Sequence, residues 1–203
     1  MSEVKRPLEG VKVLELATFI AAPCCARFLA DLGAEVIKVE APAGDPLRYT
    51  AVNEGRPQDQ KENTSYDLEN AGKTCVCLNT KTEAGRAALE KLIAEADIFI
   101  TNWRQPPLKK AGLDYDTLHA KYPKLVYGFV SGYGEKGPDK DLPGFDFTAF
   151  FARGGILGTL FDKDALPMLT IAGFGDHQVG MYLASGVLAA LYRARETGCL
   201  LYT

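Results

Sequence analysis

Short apolar runs recur along the chain, separated by segments whose apolar residues fall at helical spacing. Val11-Lys-Val-Leu-Glu-Leu16 is the first predicted strand. The stretch from Pro23 to Leu32 then reads as a helix, with Phe28, Leu29 and Leu32 apolar and Gly33 as its stop. Ala34-Glu-Val-Ile-Lys-Val-Glu40 is a second strand with clean alternation. From Ala41 to Glu69 the chain is polar and rich in Pro, Gly and Asp, which predicts a long surface excursion. Long loops in compact domains tend to be functional or mobile.

A third strand, Thr74–Leu78, leads into a helix over Lys81–Ala96 that buries Ala88, Leu89, Leu92 and Ile93. Asp97-Ile-Phe-Ile-Thr-Asn102 is the fourth strand. Short helices around Leu108–Ala111 and Asp114–Lys121 precede the fifth, Leu125-Val-Tyr-Gly-Phe-Val-Ser131. After a glycine-rich loop, one helix is predicted over Phe145–Gly155 and a long one from Asp176 to Arg195, where Gly198 is the natural stop. Strands alternating with helices predict right-handed crossovers and an α/β fold, a Rossmann-like doubly wound, mainly parallel sheet. Residues 1–198 form one expected domain, and Cys199–Thr203 reads as the aborted start of a next strand.

The composition fits one large core in 203 residues, with 47% hydrophobic and 24% charged positions. The net charge is −3, with both signs interspersed, so neither nucleic acid nor a membrane surface is an expected partner. The charged opening Met1–Pro7 lacks the apolar core of a signal peptide, and no apolar run reaches membrane-spanning length. A cytoplasmic protein is the expectation. Five cysteines, an odd number, argue against a disulfide framework in that setting. Cys75 and Cys77 share one strand face, but no second Cys or His pair follows at zinc spacing. Both, like the vicinal Cys24 and Cys25, are expected as small buried hydrophobes.

Candidate chemistry must therefore come from the strand ends, where open α/β sheets bind their ligands. No Gly-x-Gly-x-x-Gly or Gly-Lys-Ser/Thr loop is present. The strand ends carry Thr18-Phe-Ile20, Glu40, Asn79, Asn102-Trp-Arg104 and Ser131-Gly-Tyr133. Asp176 lies in Ala172-Gly-Phe-Gly-Asp-His-Gln-Val-Gly-Met181. It reads both as a helix N-cap and as a carboxylate nucleophile at a turn, and the two readings are compatible. His177 adjoins it without a Ser or Cys partner, so a hydrolase triad is not supported. His119 lies on a polar helix and is expected at the surface. Trp103 is read as core packing ahead of ligand stacking.

The segments Pro7–Leu16, Ala22-Pro23, Leu29–Glu40, Gly44-Asp45, Asp97–Asn102, Gly112–Tyr115, Pro123–Tyr127, Gly132–Pro138, Pro143–Asp146 and Gly175-Asp176, in this order, resemble the class III CoA-transferases. The resemblance covers nearly the whole chain. It implies that Asp176 attacks an acyl-CoA thioester and passes through aspartyl anhydride and aspartyl-CoA thioester intermediates. It further implies CoA contacts at Thr18, Phe19, Ile20 and Ala21, at Asn70 and Lys73, at Asn102 and Trp103, and at Lys110. A basic position of some relatives after the second strand is Ala41 here, with Arg48 as the nearby substitute.

The aromatic segments Gly132–Pro138 and Pro143–Asp146 look like the 2-hydroxyacyl-CoA branch, which includes cinnamoyl-CoA:phenyllactate and 2-hydroxyisocaproate CoA-transferases of amino-acid-fermenting anaerobes. The α-methylacyl-CoA racemases share the fold but carry a His where this chain has Leu157, which disfavours that activity. The resemblance thus implies a CoA thioester and a 2-hydroxy or aryl carboxylic acid as substrates, no permanently bound cofactor and no metal. It implies a second domain with a glycine-rich loop and an interlocked homodimer for the full-length family. A non-catalytic CoA-binding fragment is the alternative expectation for a chain ending at Thr203.

Overall fold

The computed structural model describes residues 5–57, 59, 62–160, 162–168 and 170–198. Strands β1 (Lys12–Leu16), β2 (Glu35–Glu40), β3 (Thr74–Cys77), β4 (Ile98–Thr101) and β5 (Val126–Phe129) form one sheet in the order β3-β2-β1-β4-β5. Every pairing is parallel. The fold is therefore Rossmann-like. A central parallel strand is covered on both faces, which is why Val13, Leu14, Leu16, Ile98, Phe99 and Ile100 are all buried.

The chain runs from β1 outward to β3, then returns to place β4 on the other side of β1. This reversal opens a crevice beyond the carboxyl ends of β1 and β4, at the topological switch point. Two helices meet beside it. The first, α1 (Ala21–Asp31), buries Ala22, Cys25, Ala26 and Leu29. Later comes the long α6 (Phe174–Thr197), which buries Ala184, Val187, Ala190, Leu191 and Ala194. They cross closely because residue 180 is glycine: a Cβ there would sit 2.6 Å from the Ala21 carbonyl oxygen and 2.8 Å from Cys24 Cβ.

Between β2 and β3 lies α2 (Thr64–Asn70), capped by the Asn63 side chain. The remaining helices are α3 (Glu83–Glu95), α4 (Gln105–Ala111) and α5 (Tyr115–Lys121). The 41–69 excursion is more structured than its polarity suggests. It holds α2 and two short 3₁₀ turns, Pro46–Tyr49 and Ala51–Glu54, and it buries Leu47, Ala51 and Tyr66. The helix expected over Phe145–Gly155 is a π-helical segment, Asp146–Arg153.

Cys25 is buried as expected, and Cys24 is half-buried. Cys75 and Cys77 are instead exposed, because β3 is an edge strand whose residues stay largely accessible. His119 is half-buried, stacked on Tyr115, rather than a free surface residue. The strand expected at Cys199–Thr203 lies outside the described residues. No described helix is long and apolar enough to cross a membrane.

Candidate active site

The turn after β1 is held from three directions. Lys38 of β2 donates its ammonium to the Ala17 carbonyl at 3.1 Å. Asn102, just past β4, clasps both backbone groups of Thr18: its Oδ1 accepts the N–H at 3.1 Å and its Nδ2 donates to the carbonyl at 2.7 Å. The carboxylate of Asp45 accepts the Phe19 N–H at 3.1 Å. Phe19 adopts φ +61°, a left-handed conformation that a non-glycine residue seldom enters. Its ring meets Phe145 edge-on, with centroids 6.1 Å apart.

Beneath this turn sits a quartet of buried charges. Lys38 pairs with Glu15 at 2.7 Å and with Asp45 at 2.9 Å, and Lys73 pairs with Glu15 at 2.6 Å, all fully enclosed. Two ammonium groups balance two carboxylates, which makes burial of four charges tolerable. Burial opposes the charge on Lys38, but Glu15 and Asp45 outweigh it and raise its pKa. Lys73 has one carboxylate partner and a cationic neighbour, so burial prevails and lowers its pKa.

The nucleophile candidate stands on the first turn of α6. Gly173 is the N-cap, and Asp176 is the third helical residue rather than the cap itself. Capping comes from Asp146 at the start of the π-helical segment. Its Oδ2 accepts the Gly173 N–H at 2.8 Å, while Oδ1 accepts those of Gly175 at 2.8 Å and Asp176 at 3.2 Å. Residue 175 must be glycine for this approach, since a Cβ would lie 2.3 Å from the Phe150 ring and 2.4 Å from Asp146 Oδ1. Among the described residues, no hydrogen-bond donor engages the Asp176 carboxylate. Burial, then the neighbouring Asp146 charge, pushes its pKa up to about 6.

His177, the next residue, ties α6 to α2. Nδ1 lies 2.6 Å from the Gly173 carbonyl and Nε2 lies 2.7 Å from Glu69 Oε1. A carbonyl only accepts, so Nδ1 carries a proton, and one further proton lies between Nε2 and the buried Glu69. Burial raises the Glu69 pKa against the pull of His177. Cys24, Glu69 and His177 bring donor atoms within 4.8 Å of one another. The short His177–Glu69 bond explains that proximity, and burial pushes the Cys24 thiol up to about 11, which disfavours the thiolate a metal would need.

The predicted CoA residues divide by accessibility. Thr18, Phe19, Ile20 and Trp103 are half-exposed around the crevice, and Ala21 opens α1 beneath them. Ile20 lies against Gly173, so the turn and the Asp176 helix meet. Asn70 and Lys73 face inward: the Lys73 ammonium donates to Glu15, the Pro23 carbonyl and Asn70 Oδ1. Lys110 is exposed in the last turn of α4, and its side chain makes no hydrogen bond or ion pair among the described residues. Arg48, the basic residue near Ala41, is engaged within the fold. Its guanidinium grips Glu40 through two 2.8 Å bonds and covers the Tyr66 ring at 3.7 Å. A separate cavity of about 500 Å³, between Gln105, Lys109, Asp114, Glu135 and Lys140, contains none of these site residues.

A half-buried carboxylate beside a switch-point crevice is a candidate nucleophile, and the sequence matches CoA-transferase family III over residues 8–199. The chain belongs to this family. Among the family III relatives, cinnamoyl-CoA:phenyllactate CoA-transferase of Clostridium sporogenes is 64% identical over 93% of the chain and 46% of that protein. The (R)-2-hydroxy-4-methylpentanoate CoA-transferase of Clostridioides difficile is 51% identical over 94% of the chain and 48% of that protein. The crystal structure of a CAIB/BAIF family protein from Brucella suis superposes with a TM-score of 0.88 at 35% identity, over 98% of the chain and 52% of that structure. The chain thus spans about half the length of the curated relatives it matches.

Glu15, Lys38 and Glu69, which brace the candidate site from below, carry no separate functional signal in the sequence. Glu15 and Lys38 lie in matched segments and appear as charges inside otherwise apolar strands, whereas Glu69 lies outside the matched segments. Asp45 and Asp146 stood in matched segments, but without a role.

Proposed function

We propose that the protein transfers CoA between an acyl-CoA and a carboxylic acid, with Asp176 as the nucleophile. The half-buried Asp176 carboxylate, hydrogen-bonded by none of the described residues and with a raised pKa, carries this reading. A carboxylate left unsolvated by donors is a better nucleophile once ionised, and its pKa near 6 leaves it ionised at neutral pH.

Ionised Asp176 attacks the thioester carbonyl, the C–S bond breaks, and CoA leaves as thiolate with an acyl-aspartyl anhydride behind it. The thiolate attacks the aspartyl carbonyl and expels the first acid as its carboxylate. The incoming carboxylate then displaces CoA from the aspartyl thioester, and the returning thiolate takes its acyl group and frees Asp176. Each step exchanges one leaving group for one nucleophile, so no net proton or electron is required.

The names of the relatives support an aryl or branched 2-hydroxy acid as one substrate, in line with the aromatic residues Phe19 and Phe145 at the turn. A homodimer, as implied by the resemblance, and a cytoplasmic setting, as expected from the charged opening of the chain, complete the proposal. Supplying cinnamoyl-CoA with labelled phenyllactate tests it. Label is expected in the acyl-CoA pool with the native sequence and not with Asp176→Asn. Full exchange in that variant would overturn the assignment.

A further inference from the structure

We propose that Asp45 is a positioning residue for CoA recognition, holding Phe19 in its left-handed conformation so that the turn after β1 is formed before ligand arrives. The inference rests on the reading that residues 18–21 contact CoA. Three consecutive residues of this turn are fastened by side chains from separate parts of the fold: Ala17 by Lys38, Thr18 by Asn102 and Phe19 by Asp45. Ala17 and Thr18 carry no strain that needs such fastening. Phe19 does, and Asp45 is the group that accepts its N–H.

Asp45 is built for the task. It is 1% exposed, and its Oδ1 accepts the N–H groups of both Phe19 and Leu47, while Oδ2 pairs with Lys38. Its own N–H is fixed by Glu40 Oε2 at 2.9 Å. The carboxylate therefore cannot follow Phe19 if the turn relaxes, and the turn is held to it. Strain of this kind persists where surroundings over-determine it, and such positions gather at ligand sites. A turn ordered in advance spares the ligand the ordering cost. In this account Asn102 shares the work, because both ends of its amide are engaged by Thr18.

Calorimetric titration of CoA into the native chain and into folded Asp45→Ala and Asp45→Asn variants tests the proposal, together with hydrogen exchange at the Phe19 amide. The native chain is expected to bind. Asp45→Ala should raise Kd about tenfold and expose the Phe19 amide to faster exchange. Asp45→Asn keeps an acceptor oxygen and should fall between the two. If Asp45→Ala does not fold, Asp45→Asn decides alone, by whether its Kd and Phe19 exchange rise together. A purely structural Asp45 would lower thermal stability while the folded fraction kept its CoA affinity. Unchanged Kd in a folded variant overturns the positioning role and leaves the proposed function standing. Failure of the native chain to bind CoA overturns the CoA reading of the turn, and this role with it.

Discussion

The Asp146 carboxylate accepts the backbone N–H of Asp176 at 3.2 Å, so one acid fixes the turn on which the other stands. The same contact sets the chemistry. Negative charge at Asp146 adds to burial in raising the Asp176 pKa. Capping and tuning are therefore performed by one side chain, and substitutions should separate them.

Asp146→Asn keeps an acceptor oxygen but removes the charge. The Asp176 pKa should fall, and the acid limb of the pH–rate profile should move down by up to ~1 unit. Asp146→Ala also removes the acceptor for three N–H groups and should destabilise the fold by about 2–3 kcal/mol in denaturant titration.

Asp176 itself should make the fold less stable at neutral pH. Its folded pKa of about 6 lies above the ordinary 3.8, so the folded state holds that proton more tightly than the unfolded chain does. The stability that the protonated carboxyl contributes is fully present below pH 3.8 and is lost as pH rises through about 6. Asp176→Asn should thus melt higher than the native sequence at pH 8, with the difference vanishing at about pH 4. Activity should show the opposite trend and rise through the same interval, as the carboxylate ionises. A melting difference independent of pH would contradict the raised pKa.

His177→Ala would leave Glu69 buried without its proton-sharing partner. The expected loss is about 3 kcal/mol, and Glu69→Gln in the same chain should recover part of it. A double-mutant cycle between residues 69 and 177 should give a coupling above ~1 kcal/mol. Additive losses would show that the pair is not a unit.

Much of the fold was legible in the hydrophobic pattern. The five strands were found to within one or two residues at either end, because parallel strands buried on both faces read as apolar runs. Asp176 was legible through its glycine neighbours and the family pattern. What escaped was pairing. Lys38 sits in a strand of clean alternation, which suggests a solvent-facing side chain, yet it is fully buried against carboxylates of Glu15 and Asp45. No local pattern reveals such pairing, with Glu15 lying 23 residues from Lys38. For the same reason the Asp176 turn was expected to cap itself, whereas its cap comes from Asp146. The exposure of Cys75 and Cys77 follows from strand order, which periodicity does not encode.

Gly180→Ala tests the packing that brings the two site helices together. The new Cβ would meet the Ala21 carbonyl oxygen, a backbone atom that has no rotamer to escape into. The expected loss is about 1–3 kcal/mol in chemical denaturation. It should be accompanied by weaker CoA binding, because Ala21 and Ile20 are displaced with α1.

The most direct test of the account is to trap the intermediate on Asp176. The protein is incubated with an acyl-CoA, quenched with hydroxylamine, digested and sequenced by mass spectrometry. An acyl anhydride or CoA thioester at this position yields an aspartyl hydroxamate on Asp176, which should be absent from Asp176→Asn. Turnover of the acyl-CoA with no hydroxamate on Asp176, or with the adduct on another carboxylate, would contradict it.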